Sequence, residues 1–308
     1  MTQYDFPPFR PPNEAESALI RASRGCPWNR CLFCTMYKEV KFQPRSVEDV
    51  KKDIDVAVRL FPGARTVFIA DSDSLAMKNS EEIIRYVKAR FPSAERITSY
   101  ARAKTLMKLG ASHLARLRDA GLTRVHVGLE SGDEETLAFL KKGATPAEMV
   151  AGGQAAKQAG LEVSLYVLIG AGGKNRLVEH AVGSAQVCNE IDPDFIRLRT
   201  LIVQHGSLLE GKMKQGLYRS TSPVEKLREV QLFLSHLDVH DCELASDHHT
   251  NYLWMDDKVL YRGIYGMLPG EKQHMMDVLA KTIQLISQAT GEILDATLLY
   301  ERGMITSL

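Results

Sequence analysis

Apolar, β-branched runs alternate with helical patterns along most of the chain. The runs are Leu19–Ala22, Thr66–Ala70, Ile97–Tyr100, Val125–Leu129, Val163–Ile169 and Phe195–Val203. They recur at intervals of roughly 30–45 residues, the length of a strand plus a returning helix. The helices between them carry local signals. Ser46 followed by Asp49 is a capping-box pattern, and Val47, Val50, Ile54 and Val58 then recur on one face. Gly63 is placed to stop this helix in a left-handed conformation. Glu81–Phe91, Ser112–Ala120, Pro146–Ala159 and Arg176–Ile191 read as helices too, and Asp192–Pro193 stops the last of them before the sixth strand. Six such units predict a parallel sheet, because each helix carries the chain back to restart a strand in the same direction.

Polar or glycine-rich sequence follows the C-terminal end of nearly every predicted strand: Arg24–Cys34, Asp71–Ser74, Arg102, Glu130–Gly132, Gly170–Asn175 and Gln204–His205. In parallel α/β folds that edge binds ligands. Polar residues from six strand ends converge on one mouth only if the sheet curves, which favours a partial barrel over an open sheet. No G-x-G-x-x-G follows the first strand, which argues against a dinucleotide-binding fold. The expected domains are an N-terminal extension (residues 1–17), the partial barrel (18–204) and a C-terminal α/β extension (205–308) that closes the open side and contributes to the substrate site. In that extension Pro223–Leu237 and Glu271–Ser287 read as helices and Cys242–Ala245 as a short strand.

Composition narrows the classes. Apolar residues make up 44% and charged residues 25%, enough for a sizeable core in a water-soluble chain. A formal net charge of +1 gives no global field to draw nucleic acid or an anionic membrane. Met1–Pro12 is polar and proline-rich with no apolar signal-peptide core, and the apolar run Val163–Gly170 is far too short to span a bilayer. A cytoplasmic protein is expected. The five cysteines agree: three crowd into nine residues and Cys188 and Cys242 stand alone, which is no disulfide framework.

The crowded segment reads Arg24–Gly25–Cys26–Pro27–Trp28–Asn29–Arg30–Cys31–Leu32–Phe33–Cys34. Three thiolates on a loop leaving a strand can converge on one soft metal centre. Structural zinc sites usually take four protein ligands in two close pairs, and no cysteine or histidine lies nearby to complete one. A distant histidine such as His248 can complete a zinc site, so that alternative stays open. A [4Fe–4S] cube on three cysteines leaves one iron without a protein ligand, and an open coordination position marks catalysis rather than scaffolding.

With these residues in view, the chain resembles the radical SAM superfamily, whose members place a three-cysteine loop after the first strand of a partial (β/α)6 TIM-like barrel. The resemblance covers roughly Leu19–Val203 by element order. It implies that Cys26, Cys31 and Cys34 hold a [4Fe–4S] cluster, and that the amine and carboxylate of S-adenosylmethionine chelate the open iron. It further implies reductive cleavage to a 5′-deoxyadenosyl radical, fed by a low-potential electron donor such as flavodoxin or ferredoxin. Phe33, before the third cysteine, occupies the family's aromatic position near the adenine. One departure is clear: the common spacing is C-x3-C-x2-C, and this chain has C-x4-C-x2-C.

Other strand ends supply further candidates. Where the family often carries Gly-Gly-Glu, this chain has Ala70–Asp71–Ser72–Asp73–Ser74. Asp71 or Asp73 can receive the methionyl amine through charge-assisted hydrogen bonds, although both residue types also favour helix N-caps. Glu130 and Ser131, after the fourth strand, resemble the ribose-binding stretch. Gly170, opening the Gly170–Gly173 turn, matches an apolar–glycine stretch near the adenine. Arg197 and Arg199 share one strand face by the period of two, and either can pair with the methionyl carboxylate, an acidic substrate or an acid on the rim. Arg102, near the third strand, is a candidate of the same kind, and Tyr37 and Arg45, just beyond the cluster loop, are candidate substrate contacts. Ser246–Asp247–His248–His249 reads as a polar turn, since adjacent histidines on an extended segment point apart. Cys188 reads as core.

Two hypotheses follow. In the first, the adenosyl radical abstracts hydrogen from an unidentified organic substrate. In the second, the chain is an iron–sulfur or zinc-binding redox or regulatory module without radical chemistry. The ring of polar strand ends favours the first. Five cysteines cannot ligate a second complete [4Fe–4S] cluster without other ligands, and no cobalamin-binding domain is visible.

Overall fold

The computed structural model describes residues 8–255 and 258–305. Of the expected N-terminal extension, residues 1–7 lie outside the described residues. The fold is α/β with a mostly parallel eight-stranded sheet: β1 (Ala18–Arg21), β2 (Thr66–Ala70), β3 (Arg96–Tyr100), β4 (Arg124–Glu130), β5 (Glu162–Ile169), β6 (Phe195–Thr200), β7 (Cys242–Ala245) and β8 (Tyr265–Leu268). Spatial order follows chain order throughout. Helices return the chain between the first six strands: α1 (Val47–Leu60), α2 (Ser80–Arg90), α3 (Ala103–Ala120), α4 (Pro146–Gln158) and α5 (Leu177–Ile191). α6 (Pro223–His236) follows β6, and α7 (Lys272–Gln288) follows β8.

The chain divides into two compact units: residues up to Asn29 with Cys34–Gly128 and Ala151–Ser164, and Arg30–Phe33 with Leu129–Val150 and Leu165–Leu308. In the first, β1 pairs in parallel with β2 (Ala18 opposite Val67), β2 with β3 (Thr66 opposite Arg96) and β3 with β4 (Thr98 opposite Arg124). Val50 and Ile54 of α1, Ile83, Ile84 and Val87 of α2, and Leu106, Leu114 and Leu117 of α3 are buried with the apolar residues of these strands. In the second, β6 pairs in parallel with β7 (Phe195 opposite Glu243), and β8 runs antiparallel to β7 (Tyr265 opposite Ala245). A separate three-stranded sheet joins Leu253–Met255, Lys258–Tyr261 and Ile293–Asp295. Its strands are too short to show a period in sequence.

Local chemistry accounts for the element boundaries. Ser46 caps α1 by accepting from the Asp49 N–H, as its sequence position predicts. The buried stripe of α1 is Val47, Val50, Ile54 and Ala57, with Ala57 rather than Val58 in the fourth place. Gly63 does not stop this helix in a left-handed conformation. The chain turns at Phe61 (φ −131°, ψ 60°), whose N–H still donates to the Ala57 carbonyl. α3 begins at Ala103, well before the expected Ser112, and kinks at Gly110 (φ 70°). Its early turns carry no cap of their own; Asp73 supplies one from the β2 end, accepting from the Arg102 N–H (3.2 Å) and the Thr105 hydroxyl (2.6 Å). Asp192, left-handed at φ 50°, closes α5. α6 opens on a full capping box between Ser222 and Glu225.

Beneath the first unit, Glu14 is fully buried. Its carboxylate meets His126 Nε2 on β4 (3.1 Å), Arg96 Nε on β3 (3.4 Å) and the Ser17 hydroxyl. These contacts pin the segment before β1 to the sheet's N-terminal edge, opposite the edge where ligand-binding loops sit. Among the described residues no helix is long and apolar enough to cross a membrane.

Candidate functional site

The cysteine loop leaves β1 through Gly25, whose left-handed backbone (φ 79°) brings it so close to Val40 that an added Cβ would lie 3.1 Å from that residue. Gly25 is held from both sides: its N–H donates to Asp71 Oδ2 (3.0 Å) and its carbonyl accepts from the Ser72 hydroxyl (2.9 Å). Cys26 follows, half-buried. Asn29, at φ 46°, donates its N–H to Cys26 Sγ (3.4 Å). The Asn29 side-chain amide donates to the Tyr37 and Val40 carbonyls, and Lys38 Nζ donates to the Asn29 carbonyl (3.0 Å). Tyr37 is buried edge-on against Phe9, and burial with the negative fields of Asp71, Cys34 and Cys26 holds its hydroxyl well above the usual range. Cys26, Cys34, Asp71 and Tyr37 therefore share one neighbourhood.

Asp71 and Asp73 are both fully buried. Besides Gly25, Asp71 faces the Arg21 guanidinium at 3.5 Å. Asp73 caps α3. Arg102 stacks over the Trp28 ring at 5.1 Å. Arg45 is tied to Asp53 and to the Arg21 carbonyl, which makes it a brace between α1 and the end of β1.

Cys31 and Phe33 lie in the second unit. Between them Leu32 is buried in an apolar cluster with Leu140, Ala171, Leu201, Leu209 and Tyr218, and Phe33 packs at its margin. The Leu32 backbone is held as well: its N–H donates to the Leu140 carbonyl (2.9 Å) and its carbonyl accepts from Leu209 (3.0 Å). A large apolar residue amid a polar cysteine loop is the signal that marks this anchor.

At the β4 end Glu130 takes a left-handed backbone (φ 65°) and pairs with Lys142 (2.7 Å). Ser131 is fully buried; its hydroxyl accepts from the Asp133 N–H (3.1 Å) and lies 2.8 Å from His180 Nδ1. His180 Nε2 meets Glu229 Oε1 at 3.2 Å, and the same oxygen accepts the Gly170 N–H (2.7 Å). The Gly170 carbonyl accepts from the buried Tyr218 hydroxyl (2.7 Å). A Ser131–His180–Glu229 chain thus ties two strand ends together through α5 and α6. Gly132 and Gly172 let α5 and its N-cap approach both ends, since a Cβ at Gly132 would meet the Gly183 carbonyl of the helix at 2.1 Å and one at Gly172 the carbonyl of the N-cap Arg176 at 2.4 Å. Neither His180 nor Glu229 stands in a motif, so nothing in sequence singled them out.

Arg197 and Arg199 share one face of β6, as the alternation predicts, and their surroundings differ. Arg197 pairs with Glu243 on β7 (2.6 Å), an acid not among the rim partners expected from sequence. Arg199 lies over the Tyr166 ring at 5.7 Å and bonds the Leu198 carbonyl. Burial first, then the Arg199 and His249 charges, depress the His248 pKa to about 4. His248 and His249 do not point apart. The chain turns into a 3-10 helix after His248, which brings the two rings to 4.1 Å. Asn251 fixes this turn to β6 through the Leu198 and Ser246 carbonyls and the Thr200 hydroxyl. Cys188 and Cys242 are buried.

Cys26, Cys31 and Cys34 are each half-buried, and thiolates, one of them here receiving an amide N–H, are soft, electron-rich donors. Such donors suit an iron–sulfur cluster. Among the described residues no three His, Cys, Asp or Glu side chains are gathered to hold a single metal ion. The fit therefore rests on donor chemistry and on the order of the loop.

Residues 20–181 match the Radical SAM superfamily. An uncharacterized methyltransferase of Pyrococcus horikoshii is 25% identical over 221 residues, covering 68% of this chain and 47% of its own length. GTP 3′,8-cyclase of Rhodopirellula baltica is 28% identical over 137 residues, covering 43% and 36%. The chain thus spans less than half the length of these curated relatives. Among solved structures, methylornithine synthase shares the fold at a TM-score of 0.51 and 21% identity, covering 72% of this chain and 63% of that one. The archaeal Elp3 of Methanocaldococcus infernus does so at 0.50 and 12% identity, covering 94% and 69%.

Proposed function

The chain belongs to the radical SAM superfamily, whose enzymes bind a [4Fe–4S] cluster and S-adenosylmethionine, and from that premise we propose that it is a radical enzyme with Cys26, Cys31 and Cys34 as its cluster ligands. The observation that carries the reading is the ligand set. Three thiols lie in one braced loop, and the segment Arg24–Thr35 contains no further cysteine or histidine to serve as a fourth. When bound, the cluster supplies the electron that cleaves the sulfonium to a 5′-deoxyadenosyl radical, which takes hydrogen from an organic substrate.

The protein's own groups bind and orient the cosubstrate in this reading. Asp71, held at the loop by Gly25 and Arg21, presents carboxylate charge suited to the methionyl amine, with Asp73 behind it fixing the entry of α3. Arg197 and Arg199, on one face of β6, are assigned to the methionyl carboxylate or an acidic substrate group, and Arg197 is also tied to Glu243. Phe33 offers a ring for the adenine. Glu130 offers a carboxylate for the ribose hydroxyls, while Ser131 and Gly170 hold their strand ends in place. The extension over residues 205–308 contributes the substrate side, and a low-potential donor such as flavodoxin or ferredoxin delivers the electron.

The test is anaerobic reconstitution with iron and sulfide, followed by incubation with S-adenosylmethionine and dithionite. The expected product is 5′-deoxyadenosine, with Cys34→Ala losing both cluster absorbance and product. A fully loaded cluster that yields none removes radical chemistry. One zinc per chain without iron or sulfide would return the protein to the regulatory alternative.

A further inference from the structure

The C-x4-C spacing places one residue more between the first two cysteines than the family commonly has. We propose that Asn29 is the residue that absorbs this excess, and that it acts as a positioning residue for Cys26 that sets the reduction potential of the cluster. The inference rests on the cluster assignment above and concerns only this chain's residues around it.

A longer loop has more conformations, so an extra residue loosens the ligands unless something fixes it. Asn29 does so in three ways. Its backbone lies in the left-handed region (φ 46°), a sharp local turn three residues after Cys26. Asparagine tolerates that region better than most residues with a side chain. Its side-chain amide donates to the Tyr37 and Val40 carbonyls, joining the outgoing arm of the loop to the returning one. Its carbonyl receives Lys38 Nζ at 3.0 Å. On the other side of Cys26, Gly25 is held by Asp71 and Ser72. Cys26 is thus bracketed by two fixed residues.

The same turn aims the Asn29 N–H at Cys26 Sγ, 3.4 Å away. Hydrogen bonds to ligand sulfurs tune iron–sulfur potentials. The sign follows from charge: reduction adds an electron that is partly carried by the thiolates, and an N–H dipole aimed at one stabilises the reduced state more than the oxidised. The Asn29 N–H therefore raises the midpoint potential and makes reduction by a physiological donor easier.

Two variants separate the backbone from the side chain. Asn29→Gly keeps access to the left-handed region and loses the clamp, whereas Asn29→Ala loses both. Each is reconstituted anaerobically beside the wild-type chain. Iron and sulfide per chain, cluster release to a chelator and the midpoint potential from a dye-mediated titration followed by electron paramagnetic resonance are then compared. The expected order of potential and of cluster retention is wild type, then Asn29→Gly, then Asn29→Ala. Equal potentials and release rates in all three overturn the proposal. If Asn29→Ala does not fold, Asn29→Gly against wild type still decides: faster release and a lower potential support the clamp, and identity with wild type refutes it. A wild-type chain that takes up no iron or sulfide overturns the cluster reading itself, and these readouts show that failure without any turnover assay.

Discussion

His248 shows how one side chain reports its surroundings. Burial and the Arg199 and His249 charges keep its imidazole neutral in the folded chain, with a pKa of about 4. In the unfolded chain it takes up a proton near its ordinary value of 6.5. Its contribution to stability is therefore complete above about pH 6.5 and is lost as pH falls from there toward 4. His248→Gln is expected to flatten that part of the stability profile relative to wild type. Denaturant midpoints measured at intervals of pH across the window check this, and parallel profiles would refute it. The sequence suggested a polar turn here, and the turn exists. The close approach of the two rings was hidden because strand alternation does not survive the entry into a 3-10 turn. The three cysteines stood out in sequence because they crowd into nine residues. Glu243, the partner of Arg197, was not, because that pair joins strands distant in sequence.

At the scale of elements, α5 and α6 brace the strand ends from behind. Removing the imidazole in His180→Ala takes one of two partners from the buried Glu229, leaving the Gly170 N–H, and the loss of a buried polar partner costs about 1–3 kcal/mol. Chemical denaturation is expected to show that loss. S-adenosylmethionine affinity is expected to fall too in folded protein, because Ser131 and Gly170 lose their shared support. A fully stable variant with unchanged affinity would assign the chain of bonds no such role. The six main strands were readable from apolar runs because each is half of a repeating strand–helix unit. The first half of α3 was not, since its cap is Asp73 from another element. The small sheet formed by Leu253–Met255, Lys258–Tyr261 and Ile293–Asp295 escaped notice because its strands contain only three or four residues each. His180 and Glu229 acquire meaning only through pairing across helices.

At the scale of the whole molecule, the sheet grows strand by strand in chain order, and its late segments are secured by long-range polar contacts. Lys226 on α6 is buried, with Nζ 2.6 Å from both Asp295 and the Thr297 hydroxyl. Asp295→Ala strands that ammonium, which is expected to destabilise the chain by about 3–5 kcal/mol. Asp295→Asn, which keeps an acceptor, is expected to lose less. Urea unfolding of both variants tests the order, and equal losses would show that packing rather than charge holds the segment.

The anchoring of Leu32 also has a timetable. The cysteines precede both of the residues whose backbone holds Leu32, Leu140 and Leu209, in the order of synthesis. At ordinary elongation rates of roughly 5–20 residues per second, on the order of ten seconds separate the emergence of the thiols from that of Leu209. During that interval oxidants and competing metal ions meet the thiols of a nascent chain whose anchoring residues are not yet made. For the cluster proposed on these cysteines, delivery of iron and sulfide is therefore best matched to a chain in which Leu209 has already been made.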